Sequence, residues 1–236
     1  MKISVKQAVL LGLLFVVMET ALIWALGVAP PDRQQGDVQR IFYFHLGSIW
    51  PGFAAFFYVL YASIRYLRFS NRNLDWDRKA LAAGEVGLAF CSIVLITGPI
   101  WAKPTWGIWW AWDARLTSMV ILWMIFLGYV FLREYIDDES KRARISAVLG
   151  IIGACLVPFV YMSTRWFETQ HPKPVIMGDE GSGIRDPEMT RALLLALTAF
   201  SLLAINLWSR AVETFRQESR TKDLKARLNH LEDELL

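Results

Sequence analysis

Apolar runs of bilayer-crossing length recur six times along this chain, and that recurrence limits its fold more than any other feature. A helix needs roughly 20 predominantly apolar residues to cross the hydrocarbon core of a membrane. The runs at Val5–Val28, Tyr43–Ile64, Leu81–Ile100, Thr117–Leu132, Ile145–Ser163 and Ala192–Trp208 come close to that length. With 55% hydrophobic residues, 20% charged residues and a mean hydropathy of +0.33, the chain is too apolar for an ordinary water-soluble domain. Backbone N–H and C=O groups in lipid must be satisfied within the segment, so each run predicts a helix. The fold class is therefore all-α: a polytopic membrane protein with six transmembrane helices. The first run is too long for a signal-peptide core and is not followed by a small-residue cleavage site, so it is read as a helix. Residues 1–212 form the membrane domain and 213–236 a charged helical tail. In that tail Leu224, Leu228, Leu231 and Leu235, spaced 4, 3, 4, make a short heptad-like stripe.

Lysine and arginine set the orientation. The side that carries both termini holds 17 of these cations and the other side 8: Arg33, Arg40, Lys103, Arg115, Arg165, Lys173, Arg185 and Arg191. The richer side is expected to be cytoplasmic. This bias accounts for the net charge of +3 without a nucleic-acid partner. The two cysteines, Cys91 and Cys155, each fall inside a span, make no CxxC pair, and read as small buried hydrophobes rather than thiol-exchange groups.

Three outer segments follow, 29–42, 101–116 and 164–191. The middle one is extraordinary in composition: five of the eleven tryptophans lie between Trp101 and Trp112. Taken as a helix, Trp106, Trp109, Trp110 and Asp113 share one face, with Trp112 and Arg115 turned away. Pro99 and Pro104 are expected to break the chain ahead of that helix. Indole rings also favour the headgroup zone, but a belt takes one or two per helix end. The density favours a platform for a flat aromatic ligand. Asp113 reads as a catalytic carboxylate, a ligand group, or a helix N-cap or partner of Arg115, with capping or pairing preferred.

His45 opens the second span and His171 lies in the third outer segment, both on the platform's side; His230 is in the tail. A single histidine at a helix end is weak evidence of a site. Two beside an aromatic platform fit six-coordinate haem iron between axial imidazoles, with Arg40, Lys103, Arg115, Arg165 or Lys173 available for the propionates. A closed zinc site wants four ligands and is less attractive. Pro172 and Pro174 are expected to hold the His171 loop extended. Two carboxylates fall in or near the membrane, and Glu19, deep in the first span, is expected to turn toward a helix interface or cavity.

The run from Thr97 to Ser118, with its core Trp106-Gly107-Ile108-Trp109-Trp110-Ala111-Trp112-Asp113, resembles the tryptophan-rich WWD segment of the haem-handling proteins of cytochrome c biogenesis. Within that group the chain is most similar to the CcmC family. The stretches Ala29–Gly36, Arg40–His45 and Trp166–His171 resemble that family's first outer loop, second-helix start and last outer loop. The resemblance covers roughly residues 25 to 210. It implies a six-helix protein of the inner (cytoplasmic) membrane that holds haem b at its periplasmic face. His45 and His171 would be the axial metal ligands, with Trp106, Trp109, Trp110, Trp112, Asp113 and Arg115 at the haem-binding surface. It also implies partners: the ABC-type subunits CcmA, CcmB and CcmD, and the haem chaperone CcmE. The implied role is export and transfer rather than catalysis.

The alternative from another class is a permease-type subunit of an ABC transporter moving a small solute, which would want a polar path through the bundle; apart from Glu19, little supports one. A WWD protein of the other biogenesis route would carry more helices and membrane histidines. A membrane oxidoreductase would need histidine pairs mid-span.

Overall fold

Each apolar run falls on a helix, and the second, third, fifth and sixth helices extend past their runs at both ends. A computed structural model of the chain describes residues 5–68, 73–171, 184 and 186–235. Its helices are α1 (Val5–Ile23, continued by a π turn over Trp24–Val28), α2 (Ile41–Arg68), α3 (Leu74–Trp106), α4 (Ala114–Phe131), α5 (Glu139–Trp166) and α6 (Pro187–Leu235). All six are long and apolar enough to cross a membrane. Side-chain caps start four of them: Asn73 for α3, Asp113 for α4, Asp138 for α5 and Asp186 for α6. Each accepts an exposed first-turn N–H that has no partner within its own helix.

Among the described residues α2 is the hub, packed against α3, α5 and α6, and α4 packs on α5 and α3. In lipid there is little hydrophobic drive to hold helices together, so close packing of small and aromatic residues carries the association. Phe56 of α2 stacks on Phe126 of α4, ring centroids 3.7 Å apart. That stack needs Gly87 on α3, where a Cβ would fall 2.4 Å from the Phe56 ring. A buried ion pair, Arg133 Nη1 to Asp77 Oδ1 at 2.8 Å, joins the end of α4 to the start of α3.

The up-and-down order gathers the start of α2, the end of α3, the start of α4, the end of α5 and the start of α6 at one end of the bundle. Four expectations are corrected here. Pro99 and Pro104 do not break the chain; both lie inside α3. Each removes one helical hydrogen bond, but a helix packed in a bundle tolerates this. Nor do Trp106–Asp113 form a platform helix. Gly107, at φ 79°, ends α3 with its N–H donating to Lys103 O at 3.0 Å, and α4 begins only at Ala114. Glu19 does not turn inward: α1 packs chiefly against α6 and Glu19 is on its exposed side. Of the cysteines, Cys91 is buried but Cys155 faces outward. Apart from these corrections, α6 is a single helix running unbroken past residue 212, with Leu224, Leu228 and Leu231 exposed along it.

Candidate functional site: a histidine cleft under the tryptophan loop

The connection between α3 and α4 begins one residue after Trp106, because Gly107 takes a left-handed conformation that costs other residues energy. Residues 108–113 then cross the end of the bundle without regular structure. This loop scatters the indoles that a helix would have aligned. Trp106 and Trp110 are half-buried and turned toward the bundle, while Trp109 and Trp112 are 58% and 78% exposed. Trp110 and Trp112 meet edge to face, 5.7 Å apart.

Asp113 is the hinge of the site. Its Oδ1 accepts the Leu116 N–H at 2.8 Å and so caps α4; its Oδ2 accepts the Gln170 N–H at 3.0 Å. One carboxylate thus ties the tryptophan loop to the segment that carries His171. The capping role expected for Asp113 is met. Its Oδ2 lies 4.0 Å from His171 Nδ1, too far for a hydrogen bond. His171 Nδ1 is buried without any partner, and so is Trp110 Nε1. The Trp106 ring packs against the His171 ring at 5.4 Å. Burial, and then the positive Arg115, push the His171 pKa down to about 4 against the opposing pull of Asp113. The imidazole is therefore neutral and has a lone pair at neutral pH.

His45 sits one turn into α2 and is 5% exposed. Its Nδ1 lies 2.9 Å from Thr97 Oγ1 on α3. The Thr97 hydroxyl donates to Ile93 O at 2.7 Å. A carbonyl can only accept, so the single hydroxyl proton is committed there and the Thr97 oxygen accepts from His45 Nδ1–H. This fixes the tautomer and leaves Nε2 unprotonated. Trp101 packs on the His45 ring at 5.8 Å and its Nε1 donates to Gln35 at 2.8 Å, which ties the first loop to the site.

Both histidines line one cleft, together with Phe53, Trp110, Arg115 and Met119. Arg115 is thus not turned away from the site. It enters the cleft beside both imidazoles, and its Nη1 donates to Val160 O at 3.3 Å. The other cations proposed for anion pairing are used elsewhere or lie at the surface. Arg40 binds Asp37 and Ala25 O, Lys103 Nζ caps Gly107 O, and Arg165 is exposed at the end of α5. Lys173, Pro172 and Pro174 lie outside the described residues. Sequence reasoning missed the role of Thr97. A hydroxyl residue among apolar ones, two residues before Pro-Ile-Trp, was the available signal.

The cleft's cavity measures about 30 Å³, room for a water molecule. The donor chemistry suits the iron of a flat macrocycle: two neutral imidazoles, aromatic walls and one cation. The space does not admit a macrocycle until the loop 107–113 and the histidine segment part. Among the described residues the Gln170 N–H to Asp113 hydrogen bond joins those two segments.

A six-helix membrane bundle with a buried and a half-buried imidazole under a loop of indoles defines the class: a polytopic membrane protein with a histidine cleft at one end. The chain matches the family described as "CcmC: Heme exporter protein C" over residues 2–227, and it belongs to that family. It is 34% identical over 211 residues to the heme exporter protein C of Bradyrhizobium diazoefficiens, covering 87% of this chain and 79% of the relative. It is 35% identical over 198 residues to that of Escherichia coli K12, covering 81% and 76%. A putative cytochrome c biosynthesis ccmC-like mitochondrial protein of Marchantia polymorpha is 29% identical over 197 residues, covering 84% and 82%.

Proposed function

We propose that this chain holds haem b between His45 and His171 at the periplasmic face of the inner membrane and passes it to the haem chaperone CcmE. In this reading it works beside CcmA, CcmB and CcmD in c-type cytochrome assembly. One observation carries the reading: two histidines from segments over 120 residues apart line the same cleft, the buried His45 with Nε2 left unprotonated by Thr97 and the half-buried His171 with an orphaned, buried Nδ1. Burying the His171 Nδ1 without a partner costs free energy, and an iron bound there would recover it. Haem is the cargo; the step needed is ligand exchange. Arg115 is the cation that would meet a carboxylate of the ring. Trp106 and Trp110 would wall the inner side, and Trp109 and Trp112 would face the aqueous phase, where a partner can meet the exposed ring edge.

The test is spectroscopic. His45→Ala and His171→Ala, purified and titrated with haem, should each weaken retention and lose the low-spin spectrum. Two single variants with a wild-type low-spin spectrum would show that these residues are not the ligands. Orientation is checked separately. Single cysteines in place of Ile108 and Arg142, in a background without Cys91 and Cys155, should react with an impermeant maleimide from outside intact cells at position 108 and not at 142.

A further inference from the structure

At the opposite end of the bundle a second, unrelated feature stands out. A groove of about 310 Å³ runs between α2, α3 and α6, walled by Ala54, Tyr58, Ala83, Val86, Ala204 and Trp208. Its walls are almost wholly apolar, and small residues from all three helices make it deep. It lies within the membrane-crossing parts of those helices. An open groove at that depth fills with something apolar, because leaving it empty forfeits dispersion contacts along its whole wall.

What distinguishes the groove is its end toward the chain termini. There the same three helices each contribute an aromatic and a cation. Tyr58 meets Trp208 at 5.0 Å, and Trp208 Nε1 donates to Lys79 O at 3.2 Å. Beyond them Trp76 is flanked by Tyr61 at 5.6 Å, by Lys79 Nζ at 4.4 Å and by the Arg65 guanidinium at 5.0 Å. Arg216 forms two bonds with Asp75, at 2.7 and 2.9 Å, and Lys79 Nζ reaches the same carboxylate at 2.8 Å. Even counting Glu213, one turn before Arg216, the cations outnumber the carboxylates. Indoles and phenols mark the headgroup level of a bilayer, so this positive cluster sits where phosphates lie.

We propose that this groove is a binding site for an anionic phospholipid, its acyl chain lying along the Ala54–Ala204 trough and its phosphate held by Lys79 and Arg65. An apolar trough alone would take any lipid. The excess positive charge at its mouth selects an anionic headgroup, and the aromatic ring around Trp76 fixes its depth. Basic pockets between helices at a membrane surface bind such headgroups in general. The proposal is independent of haem.

The full chain is purified in detergent, titrated with dioleoyl-phosphatidylglycerol or dioleoyl-phosphatidylcholine, and read by native mass spectrometry. One phosphatidylglycerol should survive activation that strips phosphatidylcholine. In Arg65→Gln/Lys79→Gln, which keeps the Arg216–Asp75 pair, the preference should fall roughly fivefold for each cation removed. Ala54→Phe fills the trough from an exposed position and should abolish retention of both lipids; circular dichroism and gel filtration confirm that each variant is folded. Equal retention of the two lipids by the unmodified chain overturns the proposal. So does binding of glycerol phosphate as tight as that of the lipid, since the trough would then contribute nothing. If Ala54→Phe instead displaces a co-purifying membrane polypeptide and leaves the lipid count unchanged, the groove is a helix-docking surface and the lipid assignment is wrong.

Discussion

Replacing Thr97 by valine tests the proposed ligand role of His45 without touching the ligand. Valine has almost the volume of threonine, so packing between α2 and α3 is kept while the oxygen at 2.9 Å from Nδ1 is lost. His45 is 5% exposed, so Nδ1–H has no ready access to water. Leaving that N–H unsatisfied costs about 1–3 kcal/mol. The imidazole escapes most of this penalty by rotating or by moving its proton to Nε2. Either response removes a correctly placed lone pair from the cleft. Loss of such an outer partner typically lowers metal affinity about 10- to 100-fold, which is about 1.4–2.8 kcal/mol. The two ranges agree, as they should if the same bond sets both. The assay is haem titration of the purified chain followed in the Soret band, with exogenous imidazole as a competitor. Thr97→Val should weaken haem by that factor and admit imidazole at lower concentration. Thr97→Ser, which keeps the oxygen, should behave like the unmodified chain. If Thr97→Val binds haem with unchanged affinity and spectrum, His45 is not oriented through this bond, and its assignment as a ligand loses its main structural support.

Three further predictions follow from other parts of the molecule. Because burial and the positive Arg115 hold the His171 pKa down to about 4, the neutral-imidazole NMR signal of the haem-free chain should persist to about pH 5, where an exposed histidine of pKa about 6.5 is mostly protonated, and be lost near pH 4. Loss centred at pH 6.5 would contradict its burial. The same depressed pKa makes the folded state lose stability as pH falls from about 6.5 toward 4, since the unfolded chain takes up the proton first. Substituting Trp109, Trp110 and Asp113 together should impair loading of the chaperone with haem more than it impairs membrane insertion, measured by pull-down and haem stain; normal loading would reduce the indoles to an interface belt. Finally, Asp77→Asn should lower thermal stability by about 3–5 kcal/mol by stranding the buried Arg133. Asp77→Leu/Arg133→Met should cost much less, as read by tryptophan fluorescence melts, and a double variant as unstable as the single one would refute the stranded-charge account.

The six helices were legible in the sequence because lipid leaves the backbone one solution. An apolar run of the right length must close its own hydrogen bonds, whatever its neighbours do. The pairing of His45 and His171 with the tryptophan segment was also legible, since alternating crossings place every second connection at the same end. Cap residues carried local information of the same kind: Asp113 starts α4 through its own side chain. The layout of the site was not legible. Periodicity put Trp106, Trp109, Trp110 and Asp113 on one helical face, but periodicity assumes a helix. Gly107 ends α3 just after Trp106, while Pro99 and Pro104, the residues that look like breakers, are absorbed inside it. Arg115 was assigned to the far side on the same assumption and instead lies in the cleft. Glu19 was expected inside because a carboxylate avoids lipid, but its direction depends on which face of α1 packs on α6. Thr97 is one hydroxyl among apolar residues until α2 brings His45 against it from 52 positions away. Sequence alone determined which segments become helices and that the two histidines and the indoles gather at one end of the bundle, because those follow from local backbone demands and from counting crossings. Only the tertiary structure decided which atoms face each other, because that is set by helix rotation and close packing between segments far apart in the chain.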